Sequence, residues 1–277
     1  MQPKVSIIIP CYNGEKYLHE TLDCLQKQTI EDWECIIVND GSNDGSLDVI
    51  KEYSKKDHRF LFIDKENEGP SAARNSGVRK SQGDYLLFLD SDDIIATDYI
   101  YRGVNYLERH SECALYYSQT RYFGSRNDIM DCFYSGYKDL LARNSIVCTC
   151  IVRRCDFDRI GGFDESMKGY EDWEFFIRLL YHNDWVFQEP EVLFYYRMSD
   201  NPTGVNSQAR QREEELRSYF FNKHYEKYRE YFGYPQWIYG EYNRLEHELE
   251  GILNSKSYKL GHKILNPILW LKKMRLM

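Results

Sequence analysis

Three carboxylates close the run Leu86-Leu87-Phe88-Leu89-Asp90-Ser91-Asp92-Asp93. Its apolar part is short enough for a buried strand of a parallel sheet. Carboxylates delivered at the carboxyl end of such a strand face the crevice in which open α/β sheets bind ligands. Packed this closely they repel one another unless a cation lies between them. A hard divalent ion such as Mg²⁺ or Mn²⁺ suits that place, because it prefers oxygen ligands. A solvated acidic turn capping a helix that begins near Thr97 is the other reading the local sequence leaves open.

Further polar groups cluster at other predicted strand ends. Pro10-Cys11-Tyr12-Asn13 closes the first strand, where Tyr12 could stack on a flat ring. Asp40 closes the second. A carboxylate there can accept a hydrogen bond from a ring N–H, as in uracil or guanine, or it can cap a turn. Ala73-Arg74-Asn75 lies on the helix after Gly69-Pro70, so Arg74 either approaches a base or phosphate or is a surface arginine. Carboxylates repel a diphosphate unless a divalent ion lies between, and that ion also neutralises charge on a departing diphosphate. A nucleotide pocket ending in carboxylates therefore points to a metal-bound nucleoside diphosphate and to transfer of a group away from it.

The elements that position these residues alternate. Val5–Ile9, Trp33–Val38, Phe60–Ile63 and Tyr85–Leu89 read as strands. Between them lie helical patterns: Leu18, Leu22 and Leu25 on one face behind an Asn13 cap, then Leu47, Ile50 and Tyr53 after Ser46, then Ala72–Arg79. One strand–helix unit per ~25 residues predicts a mostly parallel, doubly wound sheet. The loops at 39–46 and 90–93 then open on the same sheet edge.

After residue 95 the pattern weakens. A helix over 97–109, strands at Ala114–Ser118 and Ser145–Val152, and a helix opened by Glu171-Asp172-Trp173-Glu174 are predicted. Two further strands are predicted at Trp185–Gln188 and Val192–Tyr196, then charge-rich helices to about 231 and from about 236 to 254. The segment 256–277 carries Lys259, His262, Lys263, Lys272, Lys273 and Arg275 without an acid, beside an apolar set around Pro267. A basic amphipathic segment in an acidic protein suits an anionic membrane surface, or else docks on its own domain.

Bulk properties narrow the classes. A net charge of −8 argues against a general nucleic-acid binder. Eight cysteines without a Cys-x-x-Cys spacing read as buried free thiols of a reducing compartment. Val5–Ile9 reads as a first strand rather than a signal peptide, and no run of 18 apolar residues occurs. A cytoplasmic chain, peripheral on the inner membrane face through its tail, is the expectation.

Taken together, Val5-Ser6-Ile7-Ile8-Ile9-Pro10-Cys11-Tyr12-Asn13, Asn39-Asp40-Gly41-Ser42, Gly69-Pro70-Ser71-Ala72-Ala73-Arg74-Asn75 and Leu89-Asp90-Ser91-Asp92-Asp93 resemble the inverting family 2 glycosyltransferases of GT-A fold, of the bacterial cell-surface polysaccharide type. Gly161-Gly162-Phe163-Asp164-Glu165 and Gly169-Tyr170-Glu171-Asp172-Trp173 match the second half of that family's pattern. The resemblance spans about residues 4–200 in order. It implies a Rossmann-like GT-A domain with helices on both sheet faces and a C-terminal helical extension. Residues 1–95 would form the nucleotide-sugar-binding half, 96–205 the acceptor-binding half, and 206–277 the extension with its basic tail.

By the same resemblance Pro10, Tyr12, Asn13, Asp40, Arg74, Asn75, Asp90 and Ser91 would hold the nucleotide sugar, most often a uridine diphosphate sugar. Asp92 would ligate Mn²⁺ or Mg²⁺. Asp172 would be the general base that takes the acceptor hydroxyl's proton, with Glu171 as competitor. A first-turn position on a helix is expected to favour the ionised carboxylate that a base must be. The acceptor would be a glycan or a lipid-linked glycan. One departure concerns the metal: many family members carry a histidine soon after a Tyr-Arg pair, whereas Tyr196-Arg197 is followed by Met198-Ser199-Asp200-Asn201, leaving Asp200 as a substitute ligand.

Two other functions share features with this one. A sugar nucleotidyltransferase would need a glycine-rich basic loop after the first strand, which Pro10-Cys11-Tyr12-Asn13-Gly14-Glu15 lacks. A catalytically silent sugar-nucleotide-binding scaffold would have no need of Asp92 and Asp172.

Overall fold

A computed structural model describes residues 2–199, 213–257 and 259. It forms two compact units, Met1–Phe220 and Phe221–Met277. The first unit begins with the alternation that the sequence predicts: β1 (Val5–Cys11), α1 (Glu15–Gln26), β2 (Trp33–Asp40), α2 (Ser46–Lys56), β3 (Phe60–Lys65), α3 (Pro70–Lys80) and β4 (Tyr85–Phe88). It continues with β5 (Ile94–Ile95), α4 (Tyr99–Arg109), β6 (Leu115–Gly124), α5 (Tyr137–Ala142), β7 (Ile151–Arg153), α6 (Arg154–Ile160), α7 (Glu171–Leu179) and β8 (Val186–Met198). Three helices follow: α8 (Glu213–Lys223), α9 (Tyr225–Phe232) and α10 (Pro235–Asn254).

The strands form one sheet in the order β3-β2-β1-β4-β7-β6-β8-β5. β3, β2, β1 and β4 are all parallel, and every residue of β2 is buried, as a strand covered on both faces must be. The expectation of a mostly parallel sheet holds: β6 and β8 are parallel as well, and antiparallel pairs enter only around β7 and β5. β7 runs antiparallel to both β4 and β6, and β5 antiparallel to β8. α3 lies so close to the sheet that a Cβ on Gly77 would meet Ile8 Cγ2 at 2.5 Å. That approach fixes the helix bearing Arg74 against β1.

Several boundaries differ from the sequence reading, each for a local reason. Asn13 does not cap α1. It sits at φ 54°, and Gly14 takes the cap position. Of the predicted strand Ser145–Val152, only its end survives, as β7. The two strands predicted at 185–188 and 192–196 are one strand, β8, whose register against β6 shifts around Ser118–Gln119. Glu189-Pro190 lies at that irregularity, where a residue without an N–H is tolerated inside a sheet.

The two halves of the sheet share a core of rings. Phe163 lies 4.9 Å from Phe88 of β4, edge to face, and 4.4 Å from Phe175 of α7, stacked. Each such ring contributes ~1.5–3 kcal/mol when fully buried. This cluster locks α7, which bears Asp172, to the strand that ends in the acidic run. Among the described residues no helix is long and apolar enough to cross a membrane. The basic segment 256–277 and Asp200 lie almost wholly or wholly outside the described residues.

Candidate active site

The loop after β2 is tied to the start of α1 by hydrogen bonds in both directions. Asn13 N–H donates to Ser42 Oγ (3.0 Å), and Asn43 N–H donates to Asn13 Oδ1 (2.8 Å). Gly14 N–H donates to Ser46 Oγ (2.8 Å), and Gly45 N–H to Glu15 Oε2 (2.9 Å). Pro10 stays within β1 opposite Val38. Tyr12, by contrast, is 52 % exposed at the rim, where its ring face is accessible. Asp40 is buried, and protein donors already engage it: Lys65 Nζ (3.0 Å), Glu68 N–H (3.1 Å) and Gly69 N–H (2.8 Å). A carboxylate has about four acceptor positions, so one remains for a ligand N–H.

Arg74 is not a surface arginine. It is buried, and its guanidinium donates to Asp90 Oδ1 (2.7 Å) and Glu171 Oε1 (3.1 Å). It therefore joins the end of β4 to the start of α7. Two of its nitrogens are engaged by protein carboxylates rather than directed at a phosphate. Asn75 is engaged by a distant turn. Its Nδ2 donates to Phe163 O and Glu165 Oε1, and its Oδ1 accepts from Phe163 N–H, all at 2.9 Å. With its amide committed to the Gly162–Glu165 turn, Asn75 is a clamp for that turn. The reason is packing: α3 lies directly against the turn, and a Cβ on Gly162 would meet Asn75 Oδ1 at 2.7 Å.

The acidic run splits into three roles. Asp93 is buried and accepts Arg197 N–H (2.8 Å), which anchors β8. Burial, with Asp92 and Asp90 next, raises its carboxyl well above the usual range. Asp90 pairs with Arg74. Asp92 forms no ion pair among the described residues, and burial followed by the charge of Asp90 pushes its carboxyl up to about 6. Ser91 packs beside Gly14, where an added Cβ would lie 3.1 Å from its Oγ. Arg197 braces this loop from the far side, with Nε donating to Asp92 O (2.7 Å) and Nη2 to Glu20 (2.7 Å). Half-buried oxygen donors with uncompensated charge suit a hard divalent cation. No cluster of three or more His, Cys, Asp or Glu with metal-holding geometry occurs among the described residues.

Asp172 occupies the second position of α7, behind Tyr170, whose φ of 58° is left-handed. A non-glycine residue held there costs ~1–3 kcal/mol, a strain that clusters at functional sites. Asp172 Oδ1 accepts Trp173 N–H (2.7 Å), and Oδ2 accepts Asn144 Nδ2 (3.1 Å). The helix N-terminus was expected to hold this carboxyl low. Instead burial, then the neighbouring Glu171 charge, pushes it up to about 6, because desolvation outweighs the helix dipole and the two hydrogen bonds. Glu171 is the carboxylate held by Arg74, and among the described residues Asp172 has no ion pair.

Tyr196 links the two acidic centres. Burial and then the charges of Asp93, Asp90, Asp92 and Asp172 all raise its phenol, so one oxygen lies in the field of all four. Tyr196 stood in the sequence as half of a Tyr-Arg pair, but only the path of β8 directs it here. Asn144, on an irregular segment with no motif, left no signal in the sequence.

Residues 6–160 match the model of the family described as glycosyl transferase family 2. That is more than half of the chain, and the match includes β1, the loop at 39–46, α3 and the acidic run.

The chain belongs to glycosyl transferase family 2.

Its relatives extend the match beyond those residues. The glycosyltransferase GlyA of Streptococcus pneumoniae is 48% identical over 97 residues, which is 35% of this chain and 14% of that protein. TuaG of Bacillus subtilis, named for teichuronic acid biosynthesis, is 29% identical over 212 residues, covering 74% of this chain and 83% of its own length. The solved structure of S. aureus TarS 1–349 in complex with UDP is 25% identical with a TM-score of 0.59, over 71% of this chain and 61% of that one. The fold is thus GT-A, as in TarS. The chain spans less than a third of the length of the first curated relatives it matches, 14% and 28%.

Proposed function

We propose that this family 2 protein transfers a sugar from a UDP-sugar to a hydroxyl of a glycan or lipid-linked glycan, with inversion at the anomeric carbon, in assembly of a bacterial cell-surface polysaccharide. One observation carries the reading. Two half-buried carboxylates without an ion pair among the described residues, Asp92 and Asp172, lie in the field of the same phenol and are both pushed up to about 6. The UDP complex of TarS and the name of TuaG support the donor class and the pathway class.

In this reading Tyr12 stacks on the base, and the remaining acceptor position of Asp40 takes a ring N–H. Asp90, oriented by Arg74, faces the ribose. Asp92 would hold a divalent cation. When bound, that cation neutralises charge on the departing diphosphate. Asp172 Oδ2, oriented by Asn144, takes the proton from the acceptor hydroxyl as its oxygen attacks the anomeric carbon. A base with its carboxyl near 6 is ionised at neutral pH yet more basic than an ordinary aspartate. Glu171 is the weaker choice for this role, because its carboxylate is paired with Arg74.

Calorimetric titration with UDP, with and without Mn²⁺, tests the donor side. Tight binding that needs the metal and is lost in Asp92→Asn is expected, and binding indifferent to both would remove Asp92 from its role. The tail, residues 256–277, is proposed to rest on an anionic membrane surface. Co-sedimentation with anionic liposomes should fall for a chain ending near Ser255, and equal binding by both forms would refute the membrane role.

A further inference from the structure

The donor side and the base are accounted for above, but the place of the acceptor is not. On the sheet face opposite α4, a half-open pocket of about 380 Å³ is lined by Tyr117, Gln119, Val186, Gln188 and Pro190 of β6 and β8. Phe133 and Tyr134, from the segment between β6 and α5, close it. At that volume it stands at the small end of ligand pockets, which run ~300–1,000 Å³.

Its chemistry is specific. None of the lining side chains is ionised. Gln188 donates one amide N–H to Cys132 O (2.9 Å), and Gln119 donates one to Met130 O (3.4 Å). Among the described residues both amide oxygens lack a partner. Tyr117 Oη accepts Tyr134 N–H (3.0 Å), which leaves its proton to donate. Phe133 is 58% exposed, an aromatic face at the mouth. Apolar rings beside neutral amide and phenol groups match a pyranose, whose C–H face lies on a ring while its hydroxyls meet both donors and acceptors. A phosphate or a uronate would find no cation in the lining itself, since the neighbouring Arg143 is already paired with Asp139 (3.0 Å), and an alkyl chain would leave the amides unpaired.

The location is as telling as the lining. Arg143 Nη2 donates to Phe133 O (3.2 Å), and the next residue, Asn144, donates to Asp172 Oδ2 (3.1 Å). The buried Cys132 thiol lies in the field of Asp172. The wall of the cavity and the carboxylate of Asp172 are thus held by adjacent residues of one segment.

We propose that this cavity binds a neutral pyranose unit of the acceptor glycan and so presents a hydroxyl to Asp172. The assignment rests on the sugar-transfer reading and names the acceptor chemistry that reading leaves open. Saturation-transfer NMR on the full chain, without donor, tests it directly. The probes are the methyl glycosides of glucose, galactose and N-acetylglucosamine, with methyl glucuronide as the charged control. At least one neutral glycoside should bind the wild type, and the glucuronide should not. Gln188→Leu should weaken binding at least about tenfold, near 1.4 kcal/mol, and Phe133→Ala, at an exposed ring, should weaken it with no change in melting temperature. UDP binding should be unaltered in both. Failure of every neutral glycoside to bind, preference for the glucuronide, or equal binding by wild type and both variants would overturn the assignment. Glycoside binding without any turnover of a sugar nucleotide would overturn the transfer reading and leave the cavity as a sugar site.

Discussion

After β2, the carboxylate of Asp40 is buried among three protein donors, while after β4 the carboxylate of Asp92 has no ion pair among the described residues and is pushed up to about 6. Both loops leave parallel strands of the same sheet half, and both are rich in acids. The difference lies in what the neighbouring chain supplies. The first loop meets Lys65 and the amides that precede α3. The second meets Asp90, whose own cation is already shared with Glu171. Satisfied charge builds a scaffold, and unsatisfied, half-buried charge stores a capacity to bind or to take up a proton. Asp172 falls in the second class, although a third of the sequence and a different element supply it.

The largest effect expected from this contrast is kinetic. Asp172→Asn should lower kcat by ~10²–10⁴-fold, and Glu171→Gln by much less, since Arg74 already holds that carboxylate. Stability should move the other way. The folded carboxyl is raised from 3.8 to about 6, so the folded state binds the proton more tightly than the unfolded chain, and stability falls as pH rises through that window. Above it the penalty is fully present, and the asparagine removes it. The melting temperature of Asp172→Asn at neutral pH should therefore equal or exceed that of the wild type, and a large fall would place Asp172 with the scaffold. For the wild type saturated with metal, log kcat should decline as pH drops through about 6, as the base takes up its proton.

Asp40→Ala should show the opposite pattern. It leaves Lys65 with Glu68 but strands two backbone N–H groups, and each unsatisfied buried donor costs about 1–3 kcal/mol. Denaturant unfolding measures this, and a loss under 1 kcal/mol would mean that the two loops do not differ as described. The smallest effect is expected at the exposed rim. Tyr12→Ala should alter stability by no more than about 0.5 kcal/mol while weakening UDP binding by ~1 kcal/mol, read by calorimetry. Unchanged affinity would remove the ring from the base.

Much of the first half was legible because its signals are local. The runs Val5–Ile9 and Trp33–Val38 are mostly apolar, and each ends in turn-forming residues, so strand, loop and helix follow in order. Asp90 and Asp92 could be read as a strand-end pair for the same reason. The second half was harder. The residues predicted as a strand from Ser145 fold instead into the irregular segment that carries Asn144 and Cys148, and β8 bridges a proline that local reading takes for a break. Asn75 and Arg74 are neighbours in one motif, yet Arg74 meets Asp90 and Glu171 while the Asn75 amide faces a turn 88 residues away.

By itself the sequence determined the family, the alternation of the parallel half and the strand ends at which polar groups emerge, because periodicity and motif spacing are properties of a few adjacent residues. Tertiary structure decided which of those groups have partners. Arg74 meets Glu171 across 97 positions, and Asp93 meets Arg197 across 104. Contacts at that separation leave no pattern in the chain, yet they set which carboxylates are neutralised by protein and which stay charged and open to chemistry.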